Sequence, residues 1–165
     1  INMGAVVGAG KCVRSMQMDF DDEVEYNGIG KIYDLARYHD DEPFFLTVSF
    51  TQPHSPYLTS EKYWNLYQHD EIDMPSVPPI PVEEMDAFSR WIHFAHGGDL
   101  NNVTAEHVRN ARHAYYGMVS CIDEKVGNIM HALKEADLLE DTIVIFTADH
   151  GDMLGERGQW CCLRF

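Results

Sequence analysis

The stretch that decides the fold reads Thr142-Ile143-Val144-Ile145-Phe146-Thr147-Ala148-Asp149-His150-Gly151-Asp152. Its first seven residues are mostly apolar or β-branched and show almost no polar alternation. That pattern is typical of a strand buried between helices on both faces of a parallel sheet. We therefore predict a buried strand over Thr142–Ala148.

The end of this predicted strand carries two candidate metal ligands. Ligands of parallel sheets bind beyond the carboxyl ends of the strands, which is where Asp149 and His150 lie. Asp149 offers a hard oxygen and His150 a nitrogen, while Gly151 allows a sharp backbone turn. The alternative interpretation is an ordinary turn after a core strand.

Composition predicts one globular domain and excludes two classes of partner. The chain has 165 residues, of which 45% are hydrophobic and 24% are charged, enough to bury a core. Its 27 acidic and 12 basic residues give a formal charge of −15. Such a charge repels nucleic-acid phosphates and anionic membrane surfaces, so neither nucleic acid nor membrane is an expected partner.

The lack of a recognisable targeting signal in this sequence, together with its cysteine pattern, predicts a cytoplasmic location. The sequence lacks an apolar run of about 18 residues and a secretory signal at its start. Its four cysteines show no C-x-x-C spacing, and Cys121 falls in a helical pattern that predicts a buried, reduced thiol. Reduced cysteines are typical of cytoplasmic proteins.

Helical spacing predicts two long helices and a short one. A helix opens at Asp19–Asp22, and a short aromatic helix follows Ser60 as its N-cap. The clearest helix begins at Thr104 and ends near Ala136. Its apolar positions recur at steps of three or four; they are Val108, Ala111, Tyr115, Met118, Ile122, Val126, Ile129 and Leu133.

A second apolar run, Phe44–Phe50, predicts another buried strand. A Pro-rich linker of about residues 74–81 separates it from the long helix. Strand, connection, helix and strand form a right-handed crossover, so the predicted fold is α/β with a mostly parallel sheet flanked by helices.

The second strand also ends in a candidate functional loop, Pro53-His54-Ser55-Pro56. Parallel strands would bring His54 to the same sheet edge as Asp149 and His150. Flanking prolines stiffen the loop, and an imidazole held there can contact an anion or protonate a leaving oxygen. The remaining histidines are interpreted as solvent-exposed: His39, His69, His93, His96, His107, His113 and His131.

Three segments together resemble the choline-sulfatase group of the type I sulfatases, within the alkaline phosphatase superfamily. They are residues 44–57 with P-H-S-P, residues 111–119 with the Tyr115-Tyr116 pair, and residues 146–158 with D-H-G-D-M-L-G-E-R-G. The resemblance covers roughly residues 15–160. It implies that residues 1–165 are a single partial sulfatase domain with an alkaline-phosphatase-like sheet, truncated at both ends.

The resemblance implies calcium-dependent hydrolysis of a small sulfate ester such as choline sulfate. In such enzymes a cysteine within C-x-P/A-x-R becomes formylglycine, whose hydrate attacks sulfur. Carried over by position, Asp149 and His150 coordinate Ca²⁺, and His54 contacts the sulfate or assists the leaving alcohol. Histidine is an unusual ligand for Ca²⁺, so the alternative role of His150 is contact with the substrate, instead of or in addition to the metal. Mn²⁺ would suit a mixed nitrogen and oxygen site.

The departures from the family are equally specific. No cysteine lies in the C-x-P/A-x-R context, so formylglycine is absent, and no early aspartates resemble the family's remaining metal ligands. The tail 159–165 is atypical, because Cys162 stands where the family has a substrate-contacting lysine. We therefore expect a fragment that carries part of the active site and is inactive alone.

Two other interpretations stay open. A phosphonate or phosphate monoester hydrolase shares the strand-end D-H-G, and a non-catalytic interaction module would explain the missing nucleophile. Severed sheet edges would expose unpaired backbone, which favours association into a homo-oligomer.

Overall fold

The computed structural model describes residues 3–38 and 42–160. The chain folds as two compact units, the first comprising residues 1–13, 53–118 and 148–165 and the second residues 14–52 and 119–147. The helices and strands, in chain order, are α1 Gly4–Val7, β1 Gly10–Lys11, α2 Met16–Tyr38, β2 Leu58–Thr59, α3 Glu61–Trp64, α4 Ala87–Ala95 and α5 Ala105–Glu135. Three short 3₁₀ helices cover His69–Glu71, Val82–Glu84 and Glu156–Gly158.

The first unit contains a short parallel sheet. Strands β1 and β2 pair in parallel, with Gly10 opposite Leu58 and Lys11 opposite Thr59. Strand β2 directly follows the loop that carries His54. A buried cluster within the same unit consists of Val6, Tyr57, Ala111, Ala114 and Trp160.

The second unit is built around α2 and residues 119–135 of α5. Ile32, Ala132 and Leu133 form its buried apolar cluster. Lys125 is also buried, and its Nζ donates to Asp22 at 2.5 Å and to Glu25 at 2.6 Å. Burial lowers the pKa of Lys125, but these hydrogen bonds outweigh burial and leave the pKa above its ordinary value.

The structure confirms the helices that periodicity predicts. Helix α5 spans Ala105–Glu135, close to the predicted bounds, and α2 begins at Met16, one turn before the predicted start. Ser60 lies at the N-cap of α3, although its side chain makes no capping hydrogen bond. Cys121 is buried, as predicted.

The two predicted buried strands are not observed as strands. Neither Phe44–Phe50 nor Thr142–Ala148 is assigned as a strand, and Phe45 and Ile143 are 96% and 90% exposed. An apolar run becomes a buried strand only when neighbouring strands complete its hydrogen bonds. Among the described residues, the β1 and β2 pair is the only ladder. Val48 nevertheless packs on α2, where a Cβ on Gly28 would lie 3.2 Å from it.

Within the described part of the chain, no helix combines the length and the apolarity that crossing a membrane requires.

Candidate functional site

The two loops singled out in the sequence meet within the first unit. The ring centroids of His54 and His150 lie 6.5 Å apart, with their planes inclined by 62°. Asp149 precedes His150, and its side chain is 89% exposed. The predicted convergence of His54 with Asp149 and His150 is therefore present, although the predicted strands do not deliver it.

Local hydrogen bonds fix the tautomer of both imidazoles. Nδ1 of His54 lies 2.7 Å from the carbonyl oxygen of Ser55, and Nδ1 of His150 lies 2.9 Å from that of Gly151. A carbonyl oxygen only accepts, so each Nδ1 carries a proton and donates it. In each neutral ring Nε2 is then the nitrogen with the lone pair, the atom that can bind a metal ion or a proton.

Asp149 and His150, the two predicted metal ligands, lie close to each other. Oδ1 of Asp149 accepts from the backbone N–H of His150 at 3.0 Å, and Oδ2 lies 3.7 Å from His150 Nε2. One carboxylate oxygen and one imidazole nitrogen thus face the same space. Across residues 3–38 and 42–160, however, no group of three or more His, Cys, Asp or Glu side chains is placed to hold a metal ion.

A buried tyrosine ties the two loops together. Tyr57 is completely buried, and its hydroxyl donates to Asp152 Oδ2 at 2.7 Å. Its ring packs against those of Trp160 and Tyr115, with centroids 5.5 and 6.4 Å away. Asp152 Oδ1 accepts from the backbone N–H of Leu154 at 2.8 Å. Tyr57 and Asp152 thereby set the relative position of His54 and His150.

Replacing Tyr57 by phenylalanine should lower the free energy of unfolding by about 2 kcal/mol, because the variant loses a hydrogen bond to a carboxylate and leaves its packing intact. Urea denaturation of the full chain measures the change. The matched control is Tyr26→Phe, since Tyr26 is 78% exposed, and it should change stability by less than about 0.5 kcal/mol. Equal effects from the two variants would contradict the role of Tyr57 as a tether.

The G-E-R-G segment fastens the second loop to the Pro-rich stretch. Glu156 accepts hydrogen bonds from the backbone N–H groups of Val77 at 2.8 Å and Ser76 at 3.0 Å, and these bonds lower its pKa. Gly155 has φ +89°, and a Cβ there would lie 2.9 Å from Pro75. The motif therefore needs glycine for close packing as well as for its backbone conformation.

A buried arginine supports the same loop from α5. Arg112 is 6% exposed, and its Nη1 donates to the carbonyl oxygen of Leu154 at 2.9 Å. Its Nη2 pairs with Asp73, which also accepts from the hydroxyl of Tyr116. Partial burial raises the pKa of Asp73, but the contacts with Tyr116 and Arg112 prevail and lower it.

In the second unit, Asp21 anchors the residues that lead into the His54 loop. This carboxylate is completely buried on α2. Oδ1 accepts from the backbone N–H of Thr51 at 2.7 Å and from its hydroxyl at 3.0 Å, while Oδ2 accepts from the backbone N–H of Gln52 at 3.0 Å. The backbone immediately before Pro53 and His54 is thus held by one side chain.

Sequence reasoning missed Tyr57, Asp152 and Arg112 as positioning residues, and it missed Asp21 as the acceptor for Thr51 and Gln52. Tyr57 and Asp152 lie inside the quoted motifs, but their pairing joins residues 95 positions apart and has no local signal.

The structure corrects the interpretation of His113: this histidine, interpreted as exposed, is completely buried. Trp64 packs against the core cluster of the first unit. Cys162 and His39 lie outside the described residues.

Comparison with known proteins shows which family these features belong to. The profile of the Sulfatase family matches residues 15–161. The chain is 44% identical over 167 residues to the choline-sulfatase of Rhizobium meliloti (strain 1021), covering 99% of this chain and 33% of that protein. It is 34% identical over 126 residues to an arylsulfatase of Clostridium perfringens (strain 13 / Type A), covering 74% and 25%.

The fold agrees with the sequence match. The phosphonate monoester hydrolase of Agrobacterium radiobacter superposes with a TM-score of 0.65 and 25% identity, covering 96% of this chain and 34% of that one. The fold is therefore the α/β fold of the alkaline phosphatase superfamily. The chain spans about a third of the length of the choline-sulfatase that it matches. Because the family profile covers nearly all of the sequence, the chain belongs to the sulfatase family.

Proposed function

We propose that the chain supplies part of the active site of a sulfate ester hydrolase, with choline sulfate as the favoured substrate. The observation that carries the proposal is the meeting of the P-H-S-P and D-H-G-D loops. The ring centroids of His54 and His150 lie 6.5 Å apart, and the partly buried hydrogen bond between Tyr57 and Asp152 joins the two loops. The 44% identity to a choline-sulfatase supports the choice of substrate.

His54 is proposed to act on the sulfate group or on the leaving alcohol. Its Nδ1 proton is committed to the carbonyl oxygen of Ser55, so any proton that it transfers moves through Nε2. With Nε2 protonated, His54 donates a hydrogen bond to a sulfate oxygen or a proton to the leaving oxygen. The prolines on both sides of the His54-Ser55 pair restrict the loop that presents the ring.

Asp149 and His150 are proposed as two ligands of a divalent cation. Sulfatases as a family use a divalent metal and formylglycine, and a cation held here would polarise the sulfate oxygens. The carboxylate of Asp149 suits Ca²⁺, and the nitrogen of His150 suits Mn²⁺. Because Nδ1 of His150 donates its proton to the carbonyl oxygen of Gly151, the ring presents Nε2 to the proposed cation.

The nucleophile is the part that this sequence lacks. None of its four cysteines lies in the C-x-P/A-x-R context in which formylglycine forms. We propose that turnover needs a nucleophile-bearing segment in addition to these 165 residues. Restoring such a segment in a graft, and measuring sulfate ester turnover, tests the proposal.

A phosphonate or phosphate monoester hydrolase is the second candidate. The superposition on the phosphonate monoester hydrolase, at a TM-score of 0.65, is the observation that favours it. The same graft distinguishes the two, because it can be assayed on choline sulfate and on a phosphonate monoester in parallel.

Calcium should bind weakly to the chain by itself. Asp149 and His150 supply two ligands, whereas Ca²⁺ takes about six to eight, so we expect a dissociation constant of about 1 mM or higher. Isothermal titration calorimetry of the full chain measures it. Asp149→Asn should weaken the binding further, and Asp137→Asn, on an aspartate beyond α5, should leave it unchanged. Micromolar binding that survives Asp149→Asn would overturn the assignment.

A further inference from the structure

Two histidines outside the candidate site face each other within the first unit. Nδ1 of His69 lies 2.9 Å from Nδ1 of His113. Their ring centroids are 5.2 Å apart and their planes are inclined by only 27°. The centroids are much farther apart than the two Nδ1 atoms, and the ring planes are nearly parallel. The rings therefore meet end to end through their Nδ1 atoms.

The outer nitrogen of each ring determines where its protons are. Nε2 of His113 lies 2.9 Å from the carbonyl oxygen of Trp64, and Nε2 of His69 lies 3.1 Å from Oε1 of Glu106. A carbonyl and a carboxylate oxygen can only accept, so both Nε2 atoms carry a proton. Two neutral rings would then place the lone pairs of their Nδ1 atoms against each other at 2.9 Å, which is repulsive. A cation between the two nitrogens removes this conflict.

The distance decides which cation fits. A zinc-type ion lies about 2.0–2.1 Å from each imidazole nitrogen, so an ion on the line between two head-to-head rings would hold the nitrogens about 4 Å apart. The observed 2.9 Å is instead the ordinary length of a hydrogen bond between two nitrogens. A proton therefore fits the gap and a metal ion does not.

We propose that His69 and His113 share one proton, and that this proton forms a pH-sensitive clasp between residues 69–73 and α5. The pair then carries a single positive charge, which Glu106 balances from α5. Residues 69–73 are strapped to the same helix by Arg109, whose Nη1 donates to the carbonyl oxygens of Ile72, Asp70 and His69 at 3.0, 3.2 and 3.5 Å. The contact between His69 and His113 is a second link between these residues and α5, and it depends on a proton.

The surroundings keep the shared proton on the His69 side. His113 is completely buried, and the ring of Trp64 stacks on it at 3.7 Å. Burial lowers the pKa of His113, the hydrogen bond to the Trp64 carbonyl opposes this effect, and the charges of His69 and Lys11 lower the pKa further, so that it stays below its ordinary value. His113 therefore stays neutral and accepts at Nδ1. Among the described residues, the charged and titratable groups that face the pair are Glu106 on α5, Lys11 on β1, Arg109 beside the His69 carbonyl, and Tyr67, whose ring meets that of His113 edge-on.

Stability should pass through a maximum as the pH changes. When the pH falls through the ordinary histidine value of 6.5, the unfolded chain binds a proton at His113 that the folded chain resists, so stability is lost towards acid. When the pH rises enough to remove the shared proton, the two Nδ1 lone pairs repel and stability is lost again. The clasp is closed only while the pair holds one shared proton.

Glu106→Gln separates this proposal from a merely structural histidine pair. A glutamine amide can donate to Nε2 of His69, so two neutral rings satisfy every contact and the shared proton is no longer required. From the stability maximum to about pH 9, the unfolding equilibrium constant of the unsubstituted chain should rise about tenfold, as expected for loss of one hydrogen bond to a charged group. Glu106→Gln should abolish this rise of the unfolding equilibrium constant towards alkaline pH. It should keep the rise towards acid pH, which comes from His113.

The matched control is Glu135→Gln, which removes the same charge from the end of α5 and should keep both limbs of the profile. Identical profiles for the two variants would overturn the proposal.

Nitrogen-15 NMR of the histidine rings in the unsubstituted chain gives a test that needs no variant. At the pH of the stability maximum, His113 should be protonated at Nε2 only and His69 at both nitrogens, and any other assignment would also overturn the proposal.

Discussion

In a graft that turns over choline sulfate, His54→Ala should lower kcat at least about a hundredfold, the range in which a positioned acid or hydrogen-bond donor contributes to catalysis. A full-length homologue supplies the segments outside residues 1–158 of this graft, including its nucleophile and its own sequence after G-E-R-G. Asp149→Ala should cause a loss of similar size, because it removes a proposed ligand of the cation. Steady-state hydrolysis of choline sulfate measures both effects, and the 165-residue chain itself should show no turnover above background.

The control for the graft is His131→Ala, which removes an exposed histidine from α5. It should leave the rate within about twofold, because exposed positions away from the site rarely matter. If His54→Ala and Asp149→Ala also leave the rate unchanged, the two loops are structural and the site assignment is wrong. A graft that hydrolyses a phosphonate monoester but not choline sulfate would favour the second candidate function.

The elements that sequence predicts best are those whose signal is local and repeated. Helix α5 shows apolar residues at steps of three or four along its 31 residues, so no tertiary knowledge is needed to find it. The run Phe44–Phe50 carries an equally clear apolar signal, but a strand also requires a partner that the run itself does not encode. The sequence analysis does not predict helix α4, although Asp86 is a local N-cap that accepts from the backbone N–H groups of Phe88 and Ser89. A helix of nine residues offers few repeats of the apolar period.

The candidate site divides in the same way. His54, Asp149 and His150 can be named from sequence because each lies in a short motif with a chemical reason for its residue types. Their supports cannot, because Tyr57 finds Asp152 only after the chain has folded. His113 shows the same limit, since nothing in the sequence near a helical histidine predicts whether a loop and a second histidine will cover it.

Asp21→Ala should destabilise the chain by about 3 kcal/mol, the largest loss expected from a single polar substitution here, because it removes a buried carboxylate that three donors share. The backbone N–H groups of Thr51 and Gln52 would lose their acceptor. Urea denaturation measures the free energy of unfolding, and hydrogen exchange at Gln52 should accelerate in parallel.

Asp21→Asn tests whether the charge and both oxygens are needed. An asparagine oxygen can still accept from Thr51, but its NH₂ group would face the N–H of Gln52, donor against donor, so we expect a smaller loss than for alanine and continued fast exchange at Gln52. Asp19→Ala is the matched control on the same helix, since Asp19 is 63% exposed and pairs with Arg14. A surface pair of that kind contributes about 0–1 kcal/mol. If Asp19→Ala destabilises the chain as much as Asp21→Ala does, the effect belongs to the acidic start of α2, and Asp21 has no particular role in holding Thr51 and Gln52.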